Sequence, residues 1–468
     1  MMLEKANRCF CSSGRIRPGW LYGLFVLILL AEGVFFAVRI PFGQIPDEIT
    51  HYQLMESEFG TAGYVDQMIR DVFVPGHYDR MQTRPGVKVD RKAEEEIRER
   101  RFSPELSLSF RPGLGVVRHL PAGVGFYIGA LLNAPILVCA MMAEICSVLF
   151  FAGMGLLTLR TAPVRKEIFA FCFLLPMTLQ QCASVNYDAV LLPCSFFLFA
   201  YVLKLVFGET PVGWKQLAVV ALLAGVILLI KPPYAMLSLS VLMIPAERYS
   251  LPVGKKLRLE KIFSRYRFAA LGLAAAAVGA GLFLFRNSSV VKTILADMLN
   301  LPAFLGLAVR TAAADGMNYI LQLVGNFGWL DSRVSDFYVI CFFLIFVLML
   351  LGSLDRKKWH LSWKRRLFLA LVSVAVILMI LIALQEYTYG ELGWDRTAGL
   401  EAFRRYVRDC PRIQGIQGRY LLPVLPVCMM MLSVEKPVVN RKVLWVLLAG
   451  FWFFTFFHVA GVLNLRYG

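Results

Sequence analysis

The chain has 468 residues, of which 58% are hydrophobic and 17% are charged, and its mean hydropathy is +0.62. A soluble protein of this length would need far more polar surface, so the composition predicts an integral membrane protein. The net charge of +17 does not indicate a nucleic-acid partner, because the Lys and Arg residues lie beside apolar runs, where they set topology and meet anionic lipid.

Eleven apolar runs are predicted to be membrane spans, since a spanning helix needs about 20 apolar residues. Their approximate ranges are 20–38, 136–159, 168–183, 189–207, 216–230, 233–246, 268–286, 336–353, 367–385, 420–434 and 443–463. The first run is too long for a signal peptide and lacks a small-residue cleavage site, so we expect it to be an uncleaved span. The predicted fold is an all-α integral membrane protein, with one polytopic domain over residues 1–468.

Lys and Arg in the short loops predict a cytoplasmic N-terminus, because the clusters KKLRLEKIFSRYR and DRKKWHLSWKRR then face the cytoplasm. Three long loops, 39–135, 287–335 and 386–419, are then extracytoplasmic. The large first loop is predicted to contain a charged helix at Asp90–Arg101 and an interfacial helix at Ala122–Leu132. We expect any chemistry on the soluble side to occur in these loops.

The segment PDEITHYQ, from Pro46 to Gln53, follows the first span directly. If a helix begins at Pro46, Asp47 and His51 are four residues apart and share a face with Glu48. Proline at the first helical position followed by acids is also an ordinary helix start. The functional alternative makes Asp47 and Glu48 a base, a divalent-cation site or both.

The segment GIQGRYLLP enters the tenth predicted span from the outer face. Arg419 lies there beside Gln417 and Tyr420. It is either a snorkelling arginine next to an interfacial tyrosine or a guanidinium that binds a lipid-linked phosphate.

Further candidate residues lie in other outer segments. Asp188 in SVNYD either caps the following helix, which we favour, or joins the site. Lys231 in KPPY is a helix-end lysine or a phosphate contact, and His119 in RHLP lies close to the second predicted span. In GNFGWLDSR, Trp329 either stacks on a carbohydrate or anchors the chain at the interface, and Asp331 lies beside it.

Two acids lie inside predicted spans. Glu32 and Glu144 should face the protein interior, because an acid at membrane depth costs a few kcal/mol. These two intramembrane acids favour the interpretation that the protein is a transporter. The sequence has no P-loop, GxGxxG or nucleophile elbow, so nucleotide-driven chemistry is not expected.

Four motifs occur in a fixed order: PDEITH, PMTLQQCASVNYDAV, GNFGWLDS and GIQGRYLLPVLP. This set resembles a bacterial family of multi-pass proteins, the domain of unknown function family twenty-one forty-two, which is similar to the GT-C membrane glycosyltransferases. Such enzymes have an acid in the first outer loop and take sugar from a polyprenyl-phosphate donor. The resemblance implies that Asp47, and next Glu48, occupies the catalytic acid position.

The resemblance also implies a reaction and its partners. A polyprenyl-phosphate sugar would donate to a cell-envelope glycan or lipid acceptor at the bacterial plasma membrane, by inverting displacement. Mg or Mn is an optional cofactor at Asp47 and Glu48. The residues predicted to bind substrate are His51, His119, Asp188, Lys231, Trp329, Asp331, Gln417, Arg419 and Tyr420. The alternatives are a transporter or flippase for lipid-linked or charged solutes, and a non-catalytic scaffold for envelope assembly.

Overall fold

The structure is a computed structural model that describes residues 18–60, 63–72, 95, 98–106, 113–249, 288–354, 359–395 and 397–467. The predicted span 268–286, the basic cluster before it and most of the predicted helix Asp90–Arg101 lie outside these residues. The described part of the chain is mainly helical, as the composition predicts.

The described residues form sixteen α-helices, four 3₁₀ helices and two short strands. The first nine α-helices are α1 (Pro18–Arg39), α2 (Glu48–Phe59), α3 (Tyr64–Val72), α4 (Leu120–Leu131), α5 (Ile136–Thr161), α6 (Lys166–Phe173), α7 (Pro176–Cys182), α8 (Asp188–Phe207) and α9 (Trp214–Ile230). The remaining seven are α10 (Ser289–Leu299), α11 (Leu301–Gly325), α12 (Asp336–Leu351), α13 (Trp363–Glu391), α14 (Leu400–Asp409), α15 (Leu425–Leu432) and α16 (Arg441–Tyr467). Short 3₁₀ helices occupy Leu114–Arg118, Pro232–Met243, Ala246–Arg248 and Gly418–Val424. Strands β1 (Asn326–Phe327) and β2 (Ser332–Arg333) form an antiparallel pair with Asn326 opposite Arg333.

Among the described residues, five helices are long and apolar enough to cross a membrane: α1, α5, α8, α13 and α16. Helices α10 and α11 would add a sixth span, but they meet at a bend of 101°. Pro302 lies in the first turn of α11, where a residue without an N–H fits a helix start. The described residues therefore contain five or six clear spans, whereas the sequence predicts eleven.

The other predicted spans that the structure describes are short or interrupted. The run 168–183 is divided into α6 and α7, since Pro176 starts a new helix. The runs 216–230, 336–353 and 420–434 correspond to shorter apolar helices, and 233–246 is mostly a 3₁₀ helix. The segment 287–335, predicted as a loop, contains α10, α11 and the strand pair, and α4 lies where the interfacial helix was predicted.

Helix α8 lies at the centre of the bundle, where nearly all of its side chains are buried. Helix α5 packs against it and against α1 and α4. The contact of α4 with α5 is close because a Cβ at Gly125 would lie 2.2 Å from the carbonyl oxygen of Met142. Only glycine fits at that point.

The bundle has two ends, which helix α1 connects. Gly33 lies against Val148 and Gly155 against Leu29, so α1 and α5 run antiparallel. Helix α1 is about 33 Å long at 1.5 Å per residue, which is close to the thickness of a bilayer core. We call the end where α1 finishes the site end. At the opposite end, Lys166 Nζ donates to the hydroxyl of Tyr22 at 2.6 Å.

Candidate functional site

Asp47 lies at the site end, immediately before α2. The helix begins at Glu48, two residues later than predicted, and Asp47 is its N-cap with a φ of 69°. The Asp47 side chain makes no capping bond. Its Oδ2 instead accepts a hydrogen bond from Nη2 of Arg419 at 2.5 Å. Non-glycine residues in this left-handed region cost roughly 1–3 kcal/mol and cluster at functional sites.

Arg419 lies in the 3₁₀ helix Gly418–Val424, and it is buried between several partners. Its Nη1 donates to Oε1 of Gln181 at 2.8 Å, and its Nε lies 3.8 Å from Oδ2 of Asp188. Only 4% of the Arg419 side chain is exposed, against 50% for Asp47. The snorkelling interpretation of Arg419 is therefore wrong, because its guanidinium is not in the solvent.

Asp188 is buried opposite Arg419 and does not cap a helix. Helix α8 begins at Asp188 itself, and its N-cap is Tyr187, so the favoured capping interpretation is wrong. Asn186 fixes this turn, because its Oδ1 accepts the backbone N–H of Asp188 at 3.0 Å and its Nδ2 donates to Oε1 of Gln181 at 3.2 Å. The turn SVNYD thus supplies the second carboxylate around Arg419.

Lys231 follows α9 and points into a group of aromatic rings. Its Nζ lies 3.9 Å from the ring centroid of Tyr420, 5.1 Å from that of Tyr187 and 5.9 Å from that of Tyr234. Cation–π contacts of this kind stabilise an ammonium group away from water. Burial lowers the pKa of Lys231 to about 8, and nearby Asp188 opposes this shift. Lys231 and Arg419 form a pair of cations balanced by Asp47 and Asp188.

Glu48 is turned away from Asp47. Its Oε2 accepts the backbone N–H of Gly43 at 2.9 Å, and its Oε1 accepts that of Val185 at 3.3 Å. Burial raises the pKa of Glu48 to about 7. Because its two oxygens are occupied by backbone groups and Asp47 is bound to Arg419, the pair does not fit the predicted divalent cation in this arrangement. The described residues contain no group of three or more His, Cys, Asp or Glu placed to hold a metal ion.

The two candidate histidines contact each other. Nδ1 of His51 lies 2.9 Å from Nε2 of His119, and Nδ1 of His119 lies 2.8 Å from Oε2 of Glu58. Both histidines are buried. The ring of His51 also meets that of Tyr187 edge-on, with centroids 4.3 Å apart. The two histidines and Glu58 therefore form a hydrogen-bonded line that ends next to the Lys231 and Arg419 cluster.

Trp329 and Asp331 stabilise the loop 40–47, which connects α1 to α2 and contains Asp47. The indole Nε1 of Trp329 donates to the carbonyl oxygen of Gly43 at 3.0 Å. Asp331 pairs with Arg466 at 3.0 Å, and Arg466 donates to Oε1 of Gln44 at 3.4 Å. Trp329 thus contacts this loop directly, and Asp331 is linked to it through Arg466 of α16. Their carbohydrate-binding role stays a prediction.

Gln417 precedes Arg419, and its Oε1 is buried without a hydrogen-bond partner among the described residues. The neighbouring Gly418 donates its N–H to Oε1 of Gln322 at 2.8 Å. A Cβ at Gly418 would lie 2.3 Å from the carbonyl oxygen of Tyr319. This close approach to α11 holds the 3₁₀ helix in place and so positions Arg419.

Sequence reasoning missed several side chains of the site, namely Glu58, Gln181, Tyr187 and Tyr234. Gln181 and Tyr187 belong to the motif PMTLQQCASVNYDAV, which indicates where to look for them. Glu58 lies seven residues after His51, two helical turns along α2, and this spacing is its only sequence signal.

Comparisons with known proteins identify the family. No curated protein and no solved structure matches the chain. Residues 113–428, more than half of the chain, match the family described as predicted membrane protein (DUF2142). The match includes His119, Asp188, Lys231 and Arg419, and it begins after PDEITH, so the first of the four motifs is outside it. The chain therefore belongs to the DUF2142 family of predicted membrane proteins.

Proposed function

We propose that this protein is a glycosyltransferase of the bacterial plasma membrane. It transfers a sugar from a polyprenyl-phosphate carrier to a cell-envelope glycan or lipid acceptor on the outer face. The observation that carries the proposal is the pair of Asp47 and Arg419, 2.5 Å apart, in which the arginine is buried and the carboxylate is half exposed.

The cations Arg419 and Lys231 form the phosphate-binding part of the site. A guanidinium binds phosphate oxygens in a bidentate manner, and a partly desolvated ammonium strengthens the same electrostatic attraction. Asp47 is the exposed partner of Arg419, so an arriving phosphate displaces it. Asp188 and Gln181 are buried and keep the guanidinium in position.

Displacement from Arg419 makes Asp47 available as a base. Its carboxylate takes the proton of the acceptor hydroxyl while that oxygen forms a bond to the anomeric carbon. The bond between the anomeric carbon and the phosphate oxygen breaks, and its electron pair stays on the polyprenyl phosphate. Arg419 and Lys231 stabilise the charge that develops there, and the single displacement inverts the anomeric centre. No step needs a metal ion.

The test is transfer of labelled sugar from polyprenyl-phosphate donors by the purified protein in lipid vesicles. Asp47→Asn should lower the rate by about 10²–10⁴-fold, the range for loss of a general base. The matched control is Asp315→Asn, since Asp315 pairs with Arg412 at 3.1 Å outside the cluster. Transfer that is equal in wild type and Asp47→Asn would remove Asp47 from the mechanism, and no transfer by the wild type with any such donor would refute the proposal.

A proton-coupled transporter of charged solutes is the second candidate. Two buried acids favour it, because Glu144 in α5 interacts electrostatically with Glu48. Buried acids of this kind mark proton relays in transporters. Proton-driven uptake into proteoliposomes that Glu144→Gln abolishes, without any sugar transfer, would support this function over the first.

A further inference from the structure

A cleft lies at the end of the bundle opposite the site end, where the 3₁₀ helix Pro232–Met243 packs against the start of α13. Lys364 and Arg365 line one side, and residues 242–245 and Phe368 line the other, and we call it the basic cleft. Its volume is about 270 Å³, whereas one water molecule needs only roughly 10–15 Å³. The basic cleft therefore has room for a charged group larger than water.

Arg366, the next residue of α13, shows at which end the basic cleft lies. It donates to the carbonyl oxygen of Ser433 at 2.8 Å, and its guanidinium lies 5.8 Å from the ring centroid of Trp359. The guanidinium of Arg165 lies 5.9 Å from the same centroid. Arg165 precedes Lys166, whose contact with α1 marks the end opposite the site. The basic cleft is thus remote from Asp47, and an inference about it does not rest on the proposed function.

The two cations of the basic cleft are not neutralised by the protein. Within the part of the chain that the structure describes, the side chains of Lys364 and Arg365 make no hydrogen bond or ion pair. Glu435 does not pair with them, because its two oxygens bind Arg366 at 3.2 Å and His360 at 2.7 Å. The first turn of α13 contains no acid, and cations there are repelled by the positive end of the helix dipole. An anion from outside the protein would relieve this repulsion.

Apolar surface continues from the basic cleft along both of its walls. On α13, Leu367 and Leu371 are exposed and share a face, since they are four residues apart. On the 3₁₀ helix, Leu239 and Leu242 are exposed and share a face, since they are three residues apart. Trp363 is also exposed at the start of α13, and tryptophan is enriched at the level of lipid headgroups. Because α13 is long and apolar enough to cross a membrane, these side chains face lipid.

We propose that the basic cleft binds an anionic phospholipid. The phosphate lies between Lys364 and Arg365, since a guanidinium binds phosphate oxygens in a bidentate manner and an ammonium adds a point charge. The acyl chains extend along the exposed leucines of α13 and the 3₁₀ helix, a contact that a soluble anion cannot make. Basic pockets between membrane helices bind anionic headgroups in this way. With this end on the cytoplasmic side, as the sequence predicts, the lipid belongs to the inner leaflet.

The test is native mass spectrometry of the full-length protein in a mild detergent, titrated with phosphatidylglycerol or with phosphatidylcholine that has the same acyl chains. The double variant Lys364→Gln with Arg365→Gln should raise the Kd for phosphatidylglycerol about 10–30-fold, because each cation near an anionic lipid contributes about fivefold. The Kd for phosphatidylcholine, whose headgroup has no net charge, should stay the same. Equal affinity of the wild type for both lipids, or an unchanged Kd for phosphatidylglycerol in the double variant, would overturn the proposal.

The matched control is Arg441→Gln with Lys442→Gln, because these two exposed cations begin α16 at the same end of the bundle but do not line the basic cleft. The control should change the Kd less than about 3-fold, as expected for exposed charges, and a loss equal to that of the cleft variant would overturn a specific site.

Two further measurements separate the lipid site from misfolding and from a soluble anion. The charge-keeping variant Lys364→Arg with Arg365→Lys should bind phosphatidylglycerol nearly as well as the wild type, and binding as weak as in the Gln variant would show that charge is not the cause. Glycerol phosphate, the headgroup without acyl chains, should compete at least about 10-fold more weakly than the lipid, because it lacks the apolar contact. Equal competition would overturn the lipid and assign the basic cleft to a soluble anion.

Discussion

Two buried arginines at opposite ends of the bundle show how similar ion pairs serve different purposes. Arg165 pairs with Glu167 at 3.0 Å, and both side chains are almost fully buried. Arg165 also donates to the carbonyl oxygen of Met349 and lies over the ring of Trp359. All of these partners are buried, so the pair is fixed, and Glu167 also accepts the N–H of Leu354 in the connection after α12.

Arg419 at the site end differs in the exposure of its partner. Asp47 is half exposed and adopts a left-handed backbone conformation, and it makes no other side-chain bond among the described residues. A phosphate can replace this carboxylate without breaking the core. The exposure of the carboxylate, more than the distance between the paired atoms, therefore decides whether an arginine can exchange its partner for a ligand.

The largest expected effect concerns the fixed pair. Glu167→Leu leaves Arg165 buried without its carboxylate, so we expect a loss of about 3–5 kcal/mol in the free energy of unfolding. Denaturation in a mild detergent measures it. The control Glu435→Ala removes an ion pair with Arg366 that is partly exposed and should cost about 1 kcal/mol or less. Equal losses in the two variants would contradict the view that burial makes the Arg165–Glu167 pair more costly to break than a partly exposed pair.

The pH dependence of stability tests whether Glu48 is buried as a protonated acid. Burial raises the pKa of Glu48 from its ordinary value of 4.5 to about 7, and the backbone N–H groups that bind its carboxylate oppose this shift. The folded protein therefore keeps a proton that the unfolded chain loses, and stability from this group is fully present below pH 4.5 and lost as the pH rises to about 7. We expect Tm to fall over this interval in the wild type. In Glu48→Gln this part of the fall should disappear, and an identical pH profile in the variant would refute the assignment.

If the pair of Asp47 and Arg419 opens to bind a phosphate, a change at Arg419 should weaken phosphate binding. Arg419→Lys keeps the charge but loses the bidentate geometry and the bond to Gln181. We expect the Kd for a polyprenyl phosphate to rise about 10–100-fold, equivalent to roughly 1.4–2.7 kcal/mol. Binding to the protein in nanodiscs measures it, with Arg412→Lys as the surface control. Unchanged affinity in Arg419→Lys would place the phosphate elsewhere.

The smallest expected effect concerns the loop that carries Asp47. Trp329→Phe removes one hydrogen bond to Gly43, so we expect a loss of about 1 kcal/mol in stability and a small drop in transfer. Trp329→Leu distinguishes this role from carbohydrate stacking. If the indole stacks on a sugar, Phe retains transfer while Leu loses it, and if it only supports the loop, the two variants behave alike.

The sequence predicts features that depend on neighbouring residues better than features that depend on contacts between distant parts of the chain. The clear spans α1, α5, α8, α13 and α16 are predictable because about 20 apolar residues in a row indicate a span locally. The shorter apolar helices were counted as spans because apolar composition alone does not show where proline or a bend interrupts a helix. The sequence also singles out individual polar residues, because a charged or polar side chain next to an apolar run is costly unless it has a structural or functional role. These residues are Asp47, His51, Asp188, Lys231 and Arg419.

By itself, the amino-acid sequence determined that this is a multi-pass membrane protein, and it singled out the polar residues at the ends of the spans. Only the tertiary structure decided which of them meet. Asp47 and Arg419 are separated by 372 positions, and the packing of α2, α8 and the 3₁₀ helix Gly418–Val424 brings them together. The same packing turned Glu48 toward backbone N–H groups and joined His51 to Glu58 through His119. The physical reason is that hydropathy acts on neighbouring residues, whereas the partner of a buried charge is set by whichever distant helix packs against it.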